Sequence, residues 1–207
     1  MKKIFLPLLA AVGMALGLTL SSCGGGGGTG SSGKPAKALV GTTIVGKVGT
    51  PQFTLQFDTE EAGWFVNSYF TPGSSRSFPC TYALTRDPKL ENGYWEFWGE
   101  LSWTGIDILK NNDFLALLGV NNEASSCQLE KFVLILQIPA GKQQTGSYQG
   151  KGQMNVSGRY FMSDGESEGT KLEEDPREIT FVMTGMLKEE YLQAFDVEKK
   201  EESSFDY

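Results

Sequence analysis

The residues best able to do chemistry lie in YWEFWGELSW, positions 94–103. Alternation along a strand puts every second residue on one face. Tyr94, Glu96, Trp98, Glu100 and Ser102 therefore share one side, and Trp95, Phe97, Leu101 and Trp103 the other. Flat rings beside carboxylates suit a sugar: the ring stacks on C–H faces while the acids accept hydroxyl hydrogens. This makes Tyr94, Trp98, Glu96 and Glu100 the candidate ligand-binding residues. A plainer reading outweighs it, in which the face is covered by a second sheet or a loop, since aromatics are ordinary strand residues. Glu96 and Glu100 do not form a glycosidase pair. Four residues along a strand separate them by about 13 Å, against the roughly 5–9.5 Å that such pairs use.

Other chemistry is narrowed by what the chain lacks. Of its 207 residues none is histidine. Ser-His-Asp and Cys-His nucleophile systems and imidazole zinc sites are thereby excluded. Catalysis near neutral pH would fall to a perturbed carboxylate, lysine or tyrosine, and nothing marks a catalytic residue, a metal site or a cofactor. The net charge is −7, and losing Lys2 and Lys3 with a leader would make it more negative by two. Such a chain is repelled by phosphate backbones, and no dense Lys/Arg cluster offsets this, so nucleic acid is not an expected partner. Asp164, Glu166, Glu168, Glu173, Glu174 and Asp175 make 163–178 an acidic loop. Calcium takes such oxygen ligands, but the spacing is not that of an EF-hand, and a solvated loop is the better reading. Asn155-Val156-Ser157 matches a glycosylation triplet by chance.

The N-terminus carries an address. Met1-Lys2-Lys3 precedes an apolar run from Ile4 to Leu20, and small residues follow. This is the pattern of an export signal. As a helix the run spans only about 25 Å, short of a bilayer core of about 30 Å. Leu20-Ser21-Ser22-Cys23 resembles the lipobox of bacterial lipoprotein precursors, a resemblance confined to residues 1–23. It implies removal of residues 1–22, a diacylglyceryl group on the Cys23 thiol and further acylation by palmitate-like chains. Two or more such chains hold firmly, because each buried CH₂ contributes about 0.8 kcal/mol. Gly24 stands where some Gram-negative bacteria place an inner-membrane retention Asp, which by analogy implies the outer membrane. GGGGGTGSSG at 24–33 is a flexible tether and not a phosphate loop, since no strand or helix flanks it. With Cys23 lipidated, Cys80 and Cys127 remain, and an exported chain would be expected to join them as a disulfide. Two buried free thiols are the alternative.

The elements that must position these residues are strands. Phe53, Leu55 and Phe57 alternate with Thr54 and Gln56, a turn at 59–63 leads to 64–70, and 71–79 reads as a loop. Cys80–Thr85 is a short strand, 87–93 a turn, and 114–120 either strand or helical turn. FVLILQI at 132–138 is apolar on nearly every residue, as in a strand covered on both sides. Glycines alternate on one face of 148–156, which suggests close approach by another backbone. EITFVMTGML at 178–187 is the last strand. Residues 187–197 form a candidate helix with Leu187, Tyr191, Ala194 and Phe195 on one side. The expected organisation is a leader at 1–22, a lipidated tether at 23–38, a β domain at 39–197 and a frayed acidic tail at 198–207. Eight or nine antiparallel strands make a sandwich or a closed barrel, which periodicity does not separate.

The function this implies is a lipid-anchored, non-catalytic envelope protein that binds a glycan or another envelope protein. A lipocalin-like carrier would instead show a large apolar cavity between strands 132–138 and 148–156. A carboxylate-dependent hydrolase would show two acids at catalytic distance, one with a raised pKa.

Overall fold

The computed structural model describes residues 35–120, 124–141, 146–162, 169–172 and 175–196. The expected leader, Cys23, the glycine-rich run at 24–33, residues 163–168 and 173–174 of the acidic loop, and the tail from 197 lie outside the described residues.

Alternating burial defines β1 (Thr43–Lys47), β2 (Gln52–Ala62), β3 (Phe65–Pro72) and β4 (Phe78–Leu84). A short strand β5 (Lys89–Glu91) precedes β6 (Tyr94–Trp103). Helix α1 (Asn112–Leu117) follows, then β7 (Ala124–Pro139), β8 (Ser147–Met162), β9 (Thr170–Lys171) and β10 (Arg177–Thr184). The strands pair antiparallel in the order β1-β2-β3-β4-β6-β7-β8-β10, and β10 pairs with β1 as well as β8. The sheet thus closes into an eight-stranded barrel, with β5 and β9 added at β6 and β8.

An eight-stranded barrel has an interior just wide enough for side chains to fill, and here they fill it. Phe53, Phe57, Tyr82, Phe97, Leu136 and Phe181 are all buried within it. Tyr82 lies along the inner wall, reaching from β4 over β6 to β7, where its hydroxyl donates to the Leu134 carbonyl at 3.0 Å. Its ring occupies the space beside Gly99, where a Cβ would come within 2.1 Å of it. Gly152 on β8 is approached by backbone, as its strand pattern suggested: a Cβ there would lie 1.9 Å from the Ile135 carbonyl oxygen.

Both mouths are closed. At one, Phe70, Trp103, Phe114 and Phe132 stack and meet edge-on with centroids 5.3–6.2 Å apart. Phe114 comes from α1, so residues 114–120 begin in a helix. Asn111 starts that helix by accepting the Phe114 N–H at 3.0 Å, an ordinary N-cap. At the other mouth the 3₁₀ turn Pro35–Leu39 buries Ala36, Ala38 and Leu39. Residues 35–39, partly within the stretch expected as tether, therefore pack against the barrel. The Ala38 carbonyl accepts the Lys188 N–H at 3.0 Å. That bond docks the C-terminal segment on the first turn. In place of a helix, residues Glu189–Tyr191 and Gln193–Phe195 form two 3₁₀ turns, and Leu187, Leu192 and Asp196 are buried.

The expected disulfide does not form: Cys80 and Cys127 are both free and buried. Cys80 lies on β4 opposite Trp103 of β6, and Cys127 lies on β7 opposite Tyr160 of β8. With β6 between them, the two backbones are at least about 10 Å apart, beyond the Cα separation of about 4.4–6.8 Å that a disulfide spans. Burial pushes both thiols up to about 12, which outweighs, at Cys80, a hydrogen bond with the Phe70 backbone. Each behaves as a small apolar core residue.

Candidate functional site

The outer wall of the barrel carries the site. Strand β7 explains its shape. Val133 and Ile135 point outward yet are only 8% and 3% exposed. Among the described residues no second sheet covers them. Trp98 of β6 stands opposite Ile135 on one side and Gln153 of β8 on the other; Glu100 and Asn155 flank Val133 in the same way. Long neighbours thus wall in a β7 floor, which accounts for the unbroken apolar run in sequence without an overlying layer.

Tyr94, Glu96 and Trp98 come together along this wall, each partly buried. Glu96 is the organising group. Its Oε1 accepts Trp98 Nε1 at 2.6 Å and Arg86 Nη2 at 2.6 Å, and its Oε2 accepts Gln137 Nε2 at 2.8 Å. Burial alone would raise the carboxyl pKa. The hydrogen bonds from Gln137 and Trp98, with the Arg86 charge and hydrogen bond, outweigh that and hold it below its ordinary value. The Arg86 guanidinium lies 3.5 Å from the Trp98 ring centroid. One side of the indole is therefore occupied by a cation, and Trp98 meets the groove together with Ile135. The Lys151 ammonium lies 5.5 Å from the Tyr94 ring centroid, within cation–π range.

Two adjoining hollows share Lys151 and Thr180. One, of about 490 Å³, is bounded by Glu96, Trp98, Ile135, Gln137, Gln153 and Glu178. The other, of about 440 Å³, runs past Tyr94 to Gln149, Lys47, Gln52, Val45 and Val182. Together they form a shallow groove across β6, β7, β8, β10 and β1. Comparison with protein-family models, with curated proteins and with solved structures finds no match to the chain. Its function is therefore argued from the groove itself.

Glu100 does not join Glu96. It borders a separate hollow with Ser102, Trp103, Ile106 and Lys131 near the α1 mouth. Of the other acids at the groove, Glu178 sits three strands from Glu96 and two residues out of register, about 16 Å away along the backbone, whereas Glu91 of β5, opposite Tyr94, borders a smaller hollow with Glu96 and Lys151, its backbone about 8 Å from that of Glu96. Glu96 is also held ionised, the opposite of a general acid. Among the described residues no group of three acidic or cysteine side chains converges as a metal site.

Arg86, Gln137, Lys151, Lys47 and Thr180 were not singled out from sequence. The alternation of Gln149, Lys151 and Gln153 does mark them as outward-facing. It carries no information that β8 lies beside β7 and β10, or that Lys151 reaches Tyr94.

Proposed function

We propose that this barrel is a non-catalytic glycan-binding domain, carried at a bacterial membrane by a lipid on Cys23, and that the ligand lies in the outer-wall groove. The observation that carries the reading is the groove's composition. Gln52, Gln137, Gln149, Gln153 and Thr180 offer paired donors and acceptors like those of sugar hydroxyls, and Tyr94 supplies an aromatic surface beside them. A shallow open groove suits a chain that extends past it on both sides. The barrel fold is also consistent with the carrier alternative, but among the described residues Leu134, Leu136, Ile138, Tyr148 and Met154 of the two relevant strands are packed into the core. The hydrolase alternative needs a carboxyl with a raised pKa, and Glu96 is held below its ordinary value.

The test is retention on a glycan array of the full chain, of Tyr94→Ala and of Trp98→Ala. Tyr94→Ala is expected to lose binding, and Trp98→Ala to weaken it by loosening Glu96 and Gln137. Retention unchanged in both removes the groove as a sugar site. Palmitate labelling of the same chain should mark residue 23, and an unlabelled Cys23 removes the anchor.

A further inference from the structure

Resting on the glycan reading, we propose that the groove selects an acidic sugar, with Lys47, Thr180 and Lys151 forming the seat for its carboxylate. The register places these residues in one row. Lys47 of β1 stands opposite Thr180 of β10, and Thr180 stands opposite Lys151 of β8. The row continues to Gln52 on one side, opposite Lys47, and to Gln137 and then Glu96 on the other. Residues directly opposite one another point to the same face of a sheet. Two lysines therefore flank one threonine hydroxyl, with backbones about 10 Å apart across two strand spacings. Their four-carbon stems are long enough to converge over Thr180.

The charge pattern is unusual for this chain. The net charge is −7 with 25 acidic residues, yet the described residues around the Lys47–Tyr94 hollow include two lysines and no Asp or Glu; Glu178 and Glu91 border the adjoining hollows on the Lys151 side and not the Lys47 side. Glu96, the acid next along the row, is already engaged by Arg86, Trp98 and Gln137. The Tyr94 ring holds the Lys151 ammonium at the groove by its face. A carboxylate over Thr180 would receive one hydroxyl hydrogen bond and two charge-assisted ones. The neighbouring glutamines would take the sugar hydroxyls, and Val45 and Val182, exposed side by side on the adjacent row, would take its C–H face.

The experiment uses the full chain and immobilised polygalacturonate, with fully methyl-esterified polygalacturonate as the same backbone without charge. Binding to the free acid, at least about tenfold weaker on the ester and in the double variant Lys47→Gln/Lys151→Gln, is the expected result. Both lysines are exposed, so the variant should keep its fold, checked by an unchanged unfolding midpoint. Lys110→Gln, remote from the groove, controls for loss of any positive charge. Equal binding to acid and ester, with Tyr94→Ala still losing it, overturns the acid preference and leaves the glycan reading standing. Binding of neither polymer, nor of any array glycan, overturns both. Equally tight, Lys47- and Lys151-dependent binding of a single-stranded oligonucleotide would show a general anion site and also overturn the proposal.

Discussion

Trp98 and Trp103 lie on the same strand, five residues apart, and are held by different physics. Trp103 faces inward, where Phe70, Phe114 and Phe132 surround it with ring contacts of 5.3–5.8 Å. Its indole N–H is buried and makes no hydrogen bond. Trp98 faces outward. Its N–H donates to Glu96 and its ring carries the Arg86 guanidinium. The inner ring is kept for its volume, at the cost of one unpaired donor. The outer ring is kept by polar partners that also fix a carboxylate and an amide at the groove. The barrel wall therefore separates a face that stabilises from the face that carries the proposed groove.

That contrast can be broken most directly by truncating each indole. Trp103→Ala should cost about 3 kcal/mol or more, the usual loss for an aromatic in a packed cluster, read as a lower urea midpoint with groove binding retained on the folded fraction. Trp98→Ala should cost clearly less stability and act mainly on binding. Equal losses would mean that the two faces are not energetically distinct.

A smaller effect sharpens the outer half of the comparison. Because the folded barrel holds the Glu96 carboxyl below its ordinary value of 4.5, the unfolded chain takes up its proton first as the pH falls. The stabilisation is complete above that value and is lost as pH falls through the lower folded pKa. Glu96→Gln should therefore be less stable than the parent at neutral pH, by about 1 kcal/mol for a partly exposed network, and the gap should narrow in acid. A gap that stays constant from pH 7 to pH 3 would show that Glu96 contributes shape and not charge. The smallest expected effect belongs to the inner face. A reductant should leave the unfolding midpoint unchanged, and alkylation of the unreduced, denatured protein should modify both Cys80 and Cys127. A mass two hydrogens lower, with both thiols blocked, would mean that a bond joins them after all.

Much of the wall was legible in the sequence. The alternation at 94–103 assigned Trp95, Phe97, Leu101 and Trp103 to the core and Tyr94, Glu96 and Trp98 to the other side, because side-chain direction in a strand depends only on position parity. The glycines at 150 and 152 likewise announced close approach. The neighbours of those residues were not legible. The binding reading of Tyr94 and Trp98 was outweighed by a covering layer that the described residues do not supply, since β7 achieves its two-sided burial through the side chains of β6 and β8. Arg86 reaches Glu96 from ten residues away and Gln137 from 41, and no local pattern encodes such pairings. The disulfide expectation failed for the same reason, since it depended on which strand separates β4 from β7.

The amino-acid order alone determined that the domain is built of antiparallel strands, which face of each strand is apolar, that histidine chemistry is excluded, and that the first 23 residues resemble a lipoprotein leader. These follow from composition and from short-range geometry. The tertiary structure alone decided that the sheet closes through β10 onto β1 and β8, that its interior is filled, and that Lys47, Thr180 and Lys151 align across three strands. A sandwich and a barrel share one period of two, and only the long-range register distinguishes them. That register is set when inward side chains from all eight strands compete for the same small volume.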